Sequence, residues 1–320
     1  MVNALNLADE GFTVHLIERT GDLGGITRRM HYTLGSDGIQ AFLADLIKKV
    51  KEHPNIKVYF NTWIVNAYGY VGNFTTEIMR YRGVTIEKID KLLNGVTCTV
   101  PGAHHFTGLC GWEECDEMYT GIIENEGHKG TWKYGQHTYT WGLKPFLGTF
   151  ATAPEWEVLS SLATSFGSAP ACGGNLDCWD IREGTKVYLQ SFNKGGLLFF
   201  GDMHASQGGG EVTGMANEVA GEVTLRCDVI KNKALSNIRL ETPESLISVY
   251  CYRPIEAAIK LALKDLLLWL EEDYGMAKRE AYILASICPE CRINVYQVCS
   301  GLGRLMTTVG AEFPKKMLPG

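Results

Sequence analysis

Two short stretches hold most of the side chains able to move protons or stabilise charge. Cys172-Gly173-Gly174-Asn175-Leu176-Asp177 places an amide and an acid after a glycine pair that lets backbone approach closely. Gly201-Asp202-Met203-His204-Ala205-Ser206-Gln207-Gly208-Gly209-Gly210-Glu211 then gathers an acid, an imidazole, an amide and a second acid on one glycine-rich stretch. An apolar strand that delivers such a loop is a common way to assemble a hydrolytic site. Asp177, Asp202 and His204 also form a candidate set for a divalent cation, zinc or calcium, since one imidazole with carboxylates suits several metals. The plainer alternatives are a turn-bound histidine, a turn-capping Asp202 and a solvated Glu211.

Cysteine chemistry is the competing reading. Cys172 near His204 could act as a nucleophile, and Cys288-x2-Cys291 could suggest redox or metal chemistry, although without a second pair at proper spacing a buried or free thiol pair is the better reading. His104, His105, Cys110, Cys115 and His128 lack the paired spacing of a structural zinc site.

The elements that must carry these groups are mainly strands. Lys186 to Gln190, Gly195 to Phe200 and Val219 to Ile230 read as strands. A helix follows with Pro254 near its first turn and an apolar stripe at Ile255, Ile259, Leu263, Leu266, Leu267 and Leu270, stopping before Gly275. Strands followed by late helices predict an α+β class with a β-rich, sandwich-like core. The N-terminus differs: Asn3 to Gly11 reads as the end of a helix and Phe12 to Glu18 as an apolar strand ending in an acid, half of a Rossmann unit. Glu18 stands where such a fold bonds ribose, but the glycine-rich turn would lie before Met1, so FAD is not expected and a solvated strand-end acid is favoured. Helical spacing at Ile86, Ile89, Leu92 and Leu93 predicts a short helix in between. The expected organisation is a truncated Rossmann-like segment over 1–78, a junction over 79–140 and a catalytic domain over 141–320.

Bulk properties narrow the partners. With 320 residues, 45% hydrophobic, 21% charged and a net charge of -6, the chain reads as globular and offers no basic field for nucleic acid. No apolar run approaches the ~20 residues of a membrane span. The acidic, amphipathic opening is unlike a secretion signal, so a cytoplasmic location with ten reduced cysteines is expected.

Two resemblances sharpen this picture. From Ala4 to about Ile78, Leu16-Ile17-Glu18-Arg19, Leu23-Gly24-Gly25, Gln40-Ala41-Phe42-Leu43, His53-Pro54-Asn55-Ile56 and Gly69-Tyr70-Val71-Gly72-Asn73-Phe74 closely resemble the flavin-binding subunit of heterodisulfide reductase, without its cluster-binding cysteines. From about Trp141 to Leu318 the chain resembles the acetamidase/formamidase family. That likeness rests on Pro145-Phe146-Leu147-Gly148-Thr149, Ala153-Pro154, Gly173-Gly174-Asn175-Leu176-Asp177 and Gly201-Asp202-x-His204-Ala205-x-Gln207-Gly208-x-Gly210-Glu211. Val223-Thr224-Leu225-Arg226 and Phe313-Pro314-Lys315-Lys316 complete it.

The second resemblance implies hydrolysis of formamide or acetamide and a homo-oligomer. An amide needs a base for water, charge stabilisation for the oxyanion and an acid for ammonia. Glu211 would be the base, Asp202 and His204 would position water directly or through a metal, Asn175 and Gln207 would donate to the substrate oxygen, and Asp177 would orient its neighbours. Two departures each remove a polar group: Cys172 stands where the family has histidine, and Gly209 where it has an acid. The reductase-like front also stands in place of the family's β-rich N-terminal portion, which implies a missing wall and an impaired site. The remaining alternatives are a flavin-binding fragment and a catalytically silent fusion.

Overall fold

A computed structural model describes residues 1–18, 21–29, 38–60, 62–70, 73–79, 82–99, 115, 117–154, 168–169, 171–193, 195–230, 235–298 and 306–319. His104, His105 and Cys110 lie outside the described residues. The chain divides into two compact units, residues 1–81 with 230–234, and residues 82–229 with 235–320.

The first unit is the α-then-β segment foreseen in the sequence. Helix α1 (Val2–Asp9) leads into strand β1 (Val14–Ile17), which pairs in parallel with β2 (Ile56–Tyr59) after helix α2 (Ile39–Glu52). Ala4, Ala8, Leu23, Val50 and Ile56 form its small apolar core. An antiparallel hairpin of β3 (Trp63–Tyr70) and β4 (Asn73–Met79) follows.

The second unit begins with β5 (Arg82–Asp90), where a helix was expected. Val84 and Ile86 alternate on one buried face of this strand. A register shift at Thr224/Leu225 then inserts one extra residue, bringing Ile89 to the same side. Strand alternation plus a bulge thus mimics the three-residue step of a helix. β5 is an interior strand of the larger sheet. It lies between β15 (Glu222–Val229) and β13 (Lys186–Leu189). Beyond β13 come β16 (Ile238–Glu241), β17 (Ser245–Tyr252), β19 (Thr307–Pro314) and the edge strand β18 (Arg292–Gln297), all antiparallel.

Strands also occupy much of the described sequence between Gly95 and Gly142. β6 (Gly95–Thr99), β7 (Tyr119–Glu126), β8 (Lys129–Tyr134) and β9 (His137–Gly142) make an antiparallel four-stranded sheet. A second four-stranded sheet runs β11 (Ser168–Ala169), β12 (Gly173–Asn175), β10 (Phe146–Ala151) and β14 (Phe199–His204).

Packing explains the order of these pieces. Leu147 and Phe150 of β10 meet Val84, Ile86, Val187, Leu240, Ile247 and Val249 of the seven-stranded sheet in one buried cluster. The opposite face of that sheet is covered by helix α3 (Ile255–Tyr274), whose Ala258, Ala262, Leu266, Trp269 and Leu270 pack on Leu246, Val309, Ala311 and Phe313. Both faces of β17 are therefore covered, which is why Ser245 to Cys251 contains few polar residues. Gly275 ends α3 in a left-handed turn, with its N–H donating to Glu271 O and the Met276 N–H to Leu270 O. Helix α4 (Lys278–Ile287) follows. The fold class is α+β with a β-rich core.

One ion pair crosses from sheet to helix. The Arg239 guanidinium of β16 donates to both Asp265 oxygens of α3, at 2.9 and 3.0 Å, and Ser248 Oγ adds a third bond to Asp265 at 2.9 Å. Among the described residues no helix is long and apolar enough to cross a membrane.

Candidate active site

Two neighbouring strands and the loops beside them bring the candidate groups together. β10 and β14 are antiparallel partners, with Phe146 opposite His204 and Thr149 opposite Gly201. Asp202 and His204 therefore sit on the end of β14 itself, rather than on the loop after an earlier strand as the apolar run Leu197 to Phe200 had suggested. The Leu176 and Asp177 N–H groups both donate to Gly148 O, at 2.9 and 3.0 Å, which folds Asp177 back against the β10/β14 pair.

Gly148 forms the floor of the site. A methyl group there would stand 2.9 Å from Asp177 Oδ1 and Asp202 Oδ2 and 2.8 Å from Asp202 O. The Thr149 hydroxyl beside it donates towards Asn175 Oδ1 at 3.1 Å and Asp202 Oδ2 at 3.2 Å. Asn175 Nδ2 donates to Asp177 Oδ2 at 2.8 Å, and Gln297 Nε2 reaches the same oxygen. Gly173 supports this arrangement from behind. Its φ is +90°, and a Cβ would lie 2.1 Å from Phe150 O. Gly173→Ala is therefore expected to destabilise the protein by about 3 kcal/mol, combining overpacking with backbone strain. A lower denaturant midpoint would show this, and an unchanged midpoint would refute it.

Asp177, His204 and Glu211 are buried, at 1%, 1% and 6% exposure. Burial raises the Asp177 pKa well above the carboxylate range, and the adjoining Glu211 charge raises it further. Burial alone would lower the His204 pKa, but hydrogen bonds to Asp202 and Glu218 outweigh that effect and hold it well above its ordinary value. His204 Nδ1 lies 2.9 Å from Gln207 Oε1, so it is the donor and Nε2 faces the acids. Nε2 stands 3.1 Å from Glu218 Oε2 and 3.6 Å from Asp202 Oδ1.

Gln207 has a different part from the one foreseen. Both hydrogens of its Nε2 are engaged, by Asp177 O and Tyr296 O at 2.9 Å each, leaving none for a substrate oxygen. Its Oε1 faces the imidazole instead. Asn175 likewise spends one donor on Asp177.

Donor atoms form two compact sets, each within 4.8 Å: Asp177 with His204 and Glu211, and Asp202 with His204 and Glu218. Four carboxyl groups thus surround one imidazole, and a divalent cation suits both their charge and their donor chemistry. Asp177 and Asp202 fall in different sets.

Three of the six non-glycine residues with left-handed backbone among the described residues are Asp177, Asp202 and Glu211, at φ +48°, +56° and +46°. Such conformations carry strain and concentrate at functional sites. Cys172 offers no competing nucleophile, because burial pushes its thiol up to about 12. Cys288 and Cys291 are free thiols.

Sequence reasoning missed Glu218, Gly148, Thr149 and Gln297. Thr149 and Gly148 belong to the Pro-Phe-Leu-Gly-Thr motif, which signalled them without assigning them a part. Glu218 comes in only through its bridge pairing with Val96 and His204, and Gln297 through the pairing of β18. No local pattern marks either.

The sequence profile of the Acetamidase/Formamidase family matches residues 144–248, which include His204 and the four carboxyl groups around it. A formamidase of Methylophilus methylotrophus is 41% identical over 61 residues, 19% of this chain and 15% of that protein. The N-terminal region is similar to an iron-sulfur subunit of the CoB–CoM heterodisulfide reductase of Methanopyrus kandleri, at 38% identity over 101 residues, 31% of this chain and 14% of that one. The chain spans less than a quarter of the length of the curated relatives it matches. The solved acetamidase of Yersinia enterocolitica aligns over 75% of this chain and 70% of its own, with a TM-score of 0.63 and 31% identity. With the likeness reaching over most of both chains in sequence and in fold, this chain belongs to the acetamidase/formamidase family.

Proposed function

We propose that this chain hydrolyses small linear amides, formamide and acetamide among them, to a carboxylate and ammonia. The observation that carries this reading is the buried Asp177 and Glu211 pair beside His204, in a member of this family. Two carboxyl groups forced together in a dry site share a proton, since both cannot ionise at low cost. Here the raised pKa of Asp177 makes it the holder of that proton.

In this mechanism Glu211 accepts a proton from the attacking water as the carbon–oxygen bond forms. The carboxyl pair then returns a proton to nitrogen as the carbon–nitrogen bond breaks, so ammonia leaves neutral. The imidazole of His204, held on one side by Gln207 and on the other by Asp202 and Glu218, brings positive charge to the developing oxyanion. Asp202 and Glu218 are the less buried acids, at 30% and 22% side-chain exposure, and mark the side from which substrate and water arrive. Asp202, His204 and Glu218 would hold a divalent cation, which when bound would supply the positive charge otherwise carried by protonated imidazole. Asn175 and Gln297 orient the Asp177 carboxyl and Gly148 leaves room for it.

The test is release of ammonia from formamide and acetamide by the full chain. Turnover of either upholds the reading; no release from either, with and without added zinc or calcium, overturns it.

A further inference from the structure

A cavity of about 530 Å³ opens next to the proposed catalytic cluster. Among the described residues its wall is mainly apolar and aromatic, with Tyr119, Ile123, Trp132, Trp141 and Met215 from β7, β8, β9 and the loop after Glu211. The aromatic groups are fixed rather than loosely placed. Tyr119 and Trp132 meet edge to face at 6.1 Å, the Trp132 Nε1–H donates to Tyr119 OH at 3.2 Å, and the Trp141 Nε1–H donates to Ser206 Oγ at 2.8 Å.

Polar groups enter this wall on the stretch that carries His204. Ser206 and Gln207 line the cavity two and three residues beyond the imidazole, and Gln207 is the side chain bonded to His204 Nδ1. Gln207 therefore touches both the cavity and the catalytic cluster. Asn217, also in the lining, precedes Glu218, which reaches His204 Nε2. Polar residues on the stretches next to His204 and Glu218, and aromatic faces on the rest of the wall, match a ligand with a carboxamide at one end and an apolar body at the other.

The volume favours the same occupant. Pockets of roughly 300 to 1,000 Å³ enclose drug-sized molecules, whereas acetamide is only a methyl group on a carboxamide. A small polar amide would leave the aromatic faces in contact with water, and a ring stacked on them would remove that exposure.

The geometry points to primary amides with an aryl or bulky apolar acyl group as the preferred substrate class, with the ring seated between Tyr119, Trp132 and Met215. This inference rests on the amide-hydrolase reading above and narrows it. The reaction stays balanced as before: phenylacetamide and water give phenylacetic acid and ammonia, which ionise to phenylacetate and ammonium, one carbon–oxygen bond replacing one carbon–nitrogen bond.

The experiment compares phenylacetamide with acetamide by ammonia release, and measures phenylacetamide binding by calorimetry, for the full chain and for Met215→Trp, which fills the cavity. Expected is a kcat/KM for phenylacetamide at least about tenfold above that for acetamide, with the ratio falling about tenfold or more in the variant. Equal or poorer use of phenylacetamide, or an unchanged ratio in the variant, overturns the inference while leaving the amidase reading intact. Should neither amide release ammonia, the amidase reading fails by itself and calorimetry decides the cavity. Saturable binding of phenylacetamide that is lost in Met215→Trp upholds the site; no heat of binding in the parent protein removes it. Thr97→Phe, on β6 at another point of the wall, serves if Met215→Trp does not fold.

Discussion

Glu211→Gln is expected to lower kcat for ammonia release by on the order of 10²- to 10⁴-fold while the protein stays folded. Gln keeps the size and the hydrogen-bonding oxygen of the native side chain but cannot take a proton from water. The site is otherwise retained, because Gly208 O accepts the backbone N–H of residue 211 at 3.1 Å and the carbonyl there receives the Gly214 N–H at 2.7 Å. Gln also keeps an oxygen able to accept from the protonated Asp177 and carries no charge into the buried site, so thermal stability should hold or rise. Circular dichroism and a melting curve run beside the ammonia assay separate chemistry from folding. A variant within threefold of the parent in kcat would exclude Glu211 as the base.

Asp265→Ala is expected to cost about 3–5 kcal/mol of stability, the range for stranding one partner of a buried ion pair. Arg239 is 5% exposed and Asp265 3%, and the guanidinium stacks 5.1 Å from the Trp269 ring. Without Asp265 the nearest acid is Glu272, at 4.0 Å and largely exposed, which is too distant and too hydrated to replace a two-pronged bond. The Ser248 hydroxyl would lose its acceptor as well, keeping the Asn237 Nδ2 donor at 3.3 Å. Urea denaturation gives the number, and a double variant, Arg239→Met with Asp265→Leu, discriminates the cause. Recovery of most of the lost stability in the double variant identifies a stranded charge; equal loss in both points instead to packing between β16 and α3.

Helix α3 was legible because one stripe of leucines faces one sheet, and because Pro254 and Gly275 bracket it chemically. The candidate cluster was legible because six of its polar groups, Asn175, Asp177, Asp202, His204, Gln207 and Glu211, fall in two short stretches. β5 was obscured by its bulge, which changes the spacing of Ile86 and Ile89 from that of a strand to that of a helix. Asp202 and His204 were displaced from loop to strand in a similar way: the strand starts only at Phe199, after the glycines at 195 and 196 take left-handed turns. Glu218 and Gln297 could not be read at all. Their places depend on which strands pair, a long-range property that neighbouring residues do not encode.

The left-handed backbone at Asp177, Asp202 and Glu211 sets fold and chemistry against each other. Glycine or asparagine would suit those three torsions better than aspartate or glutamate does. A lineage screened for heat tolerance alone would drift towards such replacements, becoming sturdier and inert together. Selection for the proposed amide hydrolysis would hold the acids in place against that drift.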